Sequence, residues 1–233
     1  MPYRRLPNTD VARLRALKQA YQKGKELPPF KLAFSQSAFS KVQSFLTNFE
    51  AAVRLYKNTL SASIAKNKEY PALYKKAKLY ISHFIQVMNM AIFRGDMKPS
   101  IRAYYGLDES DCKVPEMNSE SELIKWGEQI IAGETGRLKK GMNPVTNPTI
   151  AVVKVRYEQF MEAFRSKKIN QKNNLRILND VVNLREQADA IILNIWNEVE
   201  NYYADLPEDQ MREKAAEYGI SYVYRKNEQI PHS

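Results

Sequence analysis

From Ser37 to Asn67 the chain spaces Phe39, Val42, Leu46, Phe49, Val53, Tyr56 and Leu60 by alternating threes and fours. Only an α-helix returns side chains to one face with that period, and a stripe sustained over six intervals is the seam of a long bundle helix. The pattern recurs. Pro71 opens a second segment, where a missing N–H is harmless in a first turn, and Tyr74, Ala77, Ile81, Phe84, Met88 and Ala91 repeat the spacing before Gly95. Two such helices separated by a few polar residues predict an antiparallel αα-hairpin.

The flanking segments carry helix signals as well. Pro7-Asn8-Thr9-Asp10 starts a helix bearing Val11, Leu14, Leu17 and Tyr21, which Gly24 is expected to stop, and a short helix runs from Pro99 to Tyr105. In the second half, Ser119 and Glu122 form a capping box ahead of Leu123, Trp126 and Ile130. Asn147-Pro148 precedes a long helix with Ile150, Val153, Tyr157, Phe160 and Phe164. A second hairpin is expected, turning near 167–174 or near 180–183, with Leu184, Ala188, Ile191, Ile195, Val199 and Tyr202 on its returning helix. Pro207 begins a short helix ending at Gly219, and Ile220 to Tyr224 alternates like a strand with no evident partner.

The fold expected is therefore all-α, an elongated helical bundle of two αα-hairpins with flanking helices. At an offset of 111 residues Phe39 meets Ile150, Val42 meets Val153, Phe49 meets Phe160, Leu73 meets Leu184 and Ala77 meets Ala188, which points to a tandem duplication with repeats 1–111 and 112–233 packed as one bundle. Because 111 lies close to a multiple of seven, bundle helices match partly at this offset in any case.

The charge is uneven. Net charge is +10, yet residues 1–111 carry 19 Lys and Arg against 8 Asp and Glu, and residues 112–233 carry 17 against 18. The first hairpin tip holds Lys66, Lys68, Lys75, Lys76 and Lys78 around Tyr70 and Tyr74; the second long helix holds Arg165, Lys167, Lys168, Lys172 and Arg176, with no acid from 163 to 179. If both tips share one end, that end binds nucleic acid or another polyanion through phosphate contacts. The acids Asp108, Glu109, Asp111, Glu116, Glu120 and Glu122, with Glu198, Glu200, Asp205, Glu208 and Asp209, are expected at the other end. The plain alternative is lysines solvating a helix tip.

Chemistry is sparsely supplied. Two histidines, His83 and His232, and one cysteine, Cys112, exclude a disulfide and leave a di-metal or zinc site without ligands; neither histidine follows a glutamate by three residues. Phosphate-loop and nucleophile-elbow motifs are absent. Gly133-Glu134-Thr135-Gly136-Arg137 reads as a helix end rather than a phosphate nest. His83 reads as a partly buried, hydrogen-bonded residue, and a catalytic role for it would need a pocket between the hairpins. No metal or cofactor is expected.

Fourteen tyrosines exceed what a core requires, and Tyr104, Tyr105, Tyr202, Tyr203, Tyr218 and Tyr222 cluster near the short helices as a candidate partner-contact surface. The N-terminus lacks a signal-peptide pattern, and the most apolar stretch, Tyr80 to Phe93, is too polar to span a bilayer. The reading is a cytoplasmic, non-enzymatic helical interaction or scaffold protein that contacts a protein partner or a second copy. Polyanion binding is the alternative, and an enzyme with a site near His83 is the third.

Overall fold

The computed structural model describes residues 2–224. Its described residues are all-α apart from one two-stranded pairing: α1 (Asp10–Glu26), α2 (Gln36–Lys66), α3 (Tyr70–Phe93), α4 (Glu120–Lys139), α5 (Ile150–Tyr202) and α6 (Glu208–Ala216), with β1 (Tyr3–Arg4) and β2 (Tyr222–Val223). Short 3-10 segments cover Pro29–Lys31, Asn67–Glu69 and Pro99–Tyr105.

The chain forms two compact units, one drawn from residues up to Leu60 and from Asn173 onward, the other from Ser61–Lys172. Each unit takes residues from both halves of the sequence.

In the first unit, α1 packs on the early part of α2 and the late part of α5, around Leu17, Val42, Phe49, Ile192, Ile195 and Trp196. Thr9 caps α1 by accepting the Ala12 N–H at 3.2 Å. Two forked ion pairs then fix α1 to α5: Arg13 donates to Asp189 at 2.7 and 2.8 Å, and Arg185 donates to Asp10 at 2.7 and 2.8 Å. Gly24 does not end α1, which runs on to Glu26. A Cβ at Gly24 would lie 2.2 Å from the Phe39 ring, so this glycine admits an aromatic rather than stopping a helix. The segment after Ile220 does find a strand partner: β2 pairs antiparallel with β1, Tyr3 opposite Val223 and Arg4 opposite Tyr222.

In the second unit, α3, α4 and the early part of α5 enclose Ala77, Ile81, Phe84, Met88, Leu123, Ile130, Val153 and Phe160. Both reciprocal bonds of the Ser119–Glu122 capping box are present.

Neither expected hairpin forms. α5 continues unbroken for 53 residues, through 167–174 and 180–183 alike. It contains no Gly or Pro, and the penalty of its Asn-rich middle is only tenths of a kcal/mol per residue, about 0.7 at most. Between α2 and α3, Lys66, Glu69 and Tyr70 all hold right-handed helical dihedrals (φ/ψ −63/−34°, −85/−14° and −53/−46°). A chain confined to those values cannot reverse. Pro71 removes one N–H and crowds the preceding turn, so the ladder tightens into the 3-10 turn Asn67–Glu69 and then resumes.

Candidate interaction surface

The 3.6-residue period that buries one face of α3 sets its opposite face in solvent. Ala77, Ile81, Phe84 and Met88 are fully buried, whereas Leu79 is 63% exposed, Met90 57% and Phe93 89%. These three share one line along the helix with Lys68, Lys75, His83 and Gln86, all exposed. The stripe is basic where α3 begins and apolar where it ends. Leaving a Leu, Met or Phe in water forgoes about 1.5–3 kcal/mol each relative to full burial, and an aligned set of them marks an interaction site more often than a lone exposed residue does.

The basic residues divide into free and committed. Lys66, Lys68, Lys75 and Lys76 are exposed and make no ion pair with a described residue. Lys78 donates to Asn118 Oδ1 at 2.9 Å. Lys167 donates to Glu120 Oε1 at 2.7 Å and lies 4.1 Å from the centre of the Tyr70 ring, while Tyr70 donates to the same oxygen at 2.6 Å. Lys168 lies 5.4 Å over Phe164, Arg165 and Lys172 are exposed, and Arg176 belongs to the first unit. The expected separation of acids from bases is therefore corrected: Glu120 sits within the basic cluster. Tyr74 donates to the Met117 carbonyl at 2.8 Å and draws the start of α4 against the start of α3, which carries Glu120 there. The bond from Lys167, then that from Tyr70, hold the Glu120 carboxyl below its usual range.

Most of the tyrosines are spent internally. Tyr105 and Tyr218 are buried, which removes them from any contact surface. Tyr104 accepts from Lys140 Nζ at 3.0 Å beneath a cation–π contact of 4.8 Å. Tyr222 donates to Glu200 at 2.7 Å, and Tyr203 is held between Tyr202 and Tyr218 at ring distances of 5.0 and 6.3 Å. Of the six, Tyr202 alone stays exposed, at 53%. Tyr105 closes onto Glu134 and Arg137 of α4, and Tyr218 lies beneath Lys23 of α1 at 5.8 Å, so these rings fill the corners they were expected to decorate. His83 is exposed and makes no hydrogen bond with a described residue, contrary to the partly buried reading. His232 lies outside the described residues.

Three buried charges were missed. Arg102, 1% exposed, donates to the Asn89 side chain and to the carbonyls of Asp108 and Asp111, and Glu134 and Arg137 are 0% and 2% exposed. Glu134 accepts from Arg137 Nε and Nη2 at 2.8 and 3.0 Å, from the Val145 N–H at 2.9 Å, and from the Tyr105 hydroxyl. Arg137 Nε also reaches the Tyr105 oxygen at 3.0 Å. Burial alone would raise the Glu134 carboxyl, but the bonds from Arg137, Tyr105 and Val145 outweigh it and hold it below the usual range. The network is closed to solvent, and its effect is to pin Tyr105 and the chain at Val145 onto α4. Its signal lay in the spacing, because Glu134 and Arg137 continue the stripe of Leu123, Gly127 and Ile130.

Among the described residues no group of three His, Cys, Asp or Glu side chains is placed to hold a metal ion, and no helix is long and apolar enough to cross a membrane. No family model, curated protein or solved structure matches the chain.

Proposed function

We propose that the chain is a cytoplasmic, non-enzymatic helical interaction protein whose outward face of α3 docks a helix of a partner protein. The observation that carries this reading is the uncovered line of Leu79, Met90 and Phe93 beyond the free lysines Lys68 and Lys75. Charge favours a different chain over a second copy. A parallel copy sets lysine against lysine, and an antiparallel copy sets lysines against the apolar end. A partner helix that is acidic opposite the lysines and apolar opposite Phe93 satisfies both ends.

Changing Leu79 and Phe93 together to glutamate tests it. Both side chains are mostly exposed, so folding stability should stay within about 0.5 kcal/mol of the parent. Partner affinity, measured by quantitative co-purification of the tagged full chain from its native cells, should fall about 100-fold or more, as two anchors of about 2 kcal/mol each imply. Retention of every partner by the double variant contradicts the proposal. Loss of self-association instead, seen by sedimentation, assigns the face to a second copy.

A second reading rests on Lys66, Lys68, Lys75 and Lys76 being exposed and unpaired among the described residues. Free lysines of this kind suit a polyanion. If they bind mixed-sequence DNA or RNA through about six phosphates, affinity should fall about 10³-fold between roughly 50 and 200 mM salt, and reversal of Lys66, Lys68, Lys75, Lys76 and Lys78 to glutamate should abolish it. Absence of binding at the lower salt contradicts this reading and leaves the docking proposal untouched.

A further inference from the structure

A cleft of about 160 Å³ opens in the first compact unit and is lined by Arg5, Asn8, Arg15, Gln19, Trp196 and Gly219 among others. Its construction follows from the chain around it. The Arg5 N–H donates to the Ser221 carbonyl at 2.9 Å, extending the β1–β2 pairing by one bond and bringing residues 5–8 beside residues 219–221. Pro7 and the Thr9 cap then turn the chain into α1, which supplies Arg15 and Gln19. Gly219 takes φ +90°, and a Cβ there would lie 2.7 Å from Gln19 Oε1 and 3.3 Å from Ala16 Cα. The inner wall therefore needs a glycine both for its backbone and for the room beside Gln19. Trp196, 2% exposed, contributes to the lining from α5.

The charges around this cleft are unequal in their commitments. Arg4 is bound to Glu200 at 2.8 Å and Asn197 at 2.9 Å, and Arg13 to Asp189. Arg5 and Arg15 are exposed, and their guanidinium groups make no hydrogen bond or ion pair with any described residue. No acid lines the cleft. Two arginines with uncommitted guanidinium groups, together with Asn8 and Gln19, thus line one small concavity. Planar forked donors match the oxygens of a tetrahedral oxyanion, and an Arg pair holds such a group more specifically than lysines do.

We infer that this cleft binds a phosphate group, held by Arg5 and Arg15 with Asn8 and Gln19 as neutral donors, either as free phosphate or as the head of a small phosphorylated molecule.

Trp196 is the reporter. In the full chain carrying Trp126→Phe it is the one tryptophan, and its emission is followed during titration with inorganic phosphate, glycerol 3-phosphate and succinate against chloride at matched ionic strength. Calorimetry on the unaltered chain repeats each titration without relying on that substitution. The inference expects a saturable response to a phosphate probe that chloride does not reproduce, weakened at least tenfold in Arg5→Gln and in Arg15→Gln, whose exposed side chains leave the melting temperature unchanged. Tighter binding of glycerol 3-phosphate identifies an organic phosphate as the ligand; binding of inorganic phosphate at least as tight identifies the free ion. A response no larger than chloride's, an affinity indifferent to both arginines, or tighter binding of succinate than of either phosphate overturns the inference.

Discussion

Replacing Glu134 with alanine is expected to destabilise the protein by about 3–5 kcal/mol, the typical result of removing one member of a buried ion pair. The substitution leaves the Arg137 guanidinium, 2% exposed, without its counter-charge, and the Val145 N–H and Tyr105 hydroxyl without their acceptor. Those losses compound because no solvent reaches the site to replace them. Equilibrium urea unfolding should show the midpoint lowered by roughly 1–2 M at ordinary slopes. Glu134→Gln keeps the shape and one acceptor oxygen, so its loss should be smaller. Replacing both partners, Glu134→Leu with Arg137→Met, should recover much of the stability, since the pair's own desolvation cost disappears with it.

The same network predicts a response to acid. The folded Glu134 carboxyl lies below its ordinary value of 4.5, as does Asp10 below 3.8, where the hydrogen bond from Arg185 is the largest cause. A carboxylate with a depressed folded pKa contributes fully at pH above its unfolded value. That contribution is lost as pH falls through the folded one. Stability should therefore be flat from neutral pH down to about 5 and fall steadily below it, and Glu134→Gln should flatten part of that fall. A pH profile of Glu134→Gln identical to the parent's would contradict the assignment.

Phe160→Ala is expected to cost a further large amount, about 3–5 kcal/mol. Phe160 is fully buried, with ring centres of Tyr70, Tyr74, Tyr157 and Phe164 at 6.0, 5.8, 6.4 and 6.0 Å. Its removal opens a cavity between α3 and α5 that rigid aromatic neighbours fill poorly. The effect should reach the α3 surface: hydrogen exchange over Tyr70–Phe93 should rise in Phe160→Ala and stay unchanged in Leu79→Glu. Equal exchange in the two variants would place the support of α3 elsewhere.

How far residues alone carry this account depends on the kind of question. Periodicity places α3 and its buried residues, because Ala77, Ile81, Phe84, Met88 and Ala91 follow the helical period without interruption. It says nothing about whether a helix turns back or goes on. A lysine-rich stretch with a proline looks the same in a hairpin tip and in a tightened turn, and the dihedrals of Lys66, Glu69 and Tyr70 decide it. The outward stripe was legible in principle. Leu79, Met90 and Phe93 keep the core's period on the opposite face, and a reading that seeks one apolar stripe per helix passes over a second. The tyrosines were misplaced for another reason, since their burial depends on where short helices end in space.

The central claim is that α3 docks a partner, and a photo-crosslinking side chain at position 93 tests it most directly. Placed there in the full-length chain and irradiated in cells, it should yield a discrete adduct with one partner protein. The adduct should disappear when Leu79 is also changed to glutamate, and a crosslinker at the exposed Glu158 of α5 should not form it. An adduct pattern at position 93 no different from that at position 158 would contradict the claim and return the exposed face of α3 to ordinary surface.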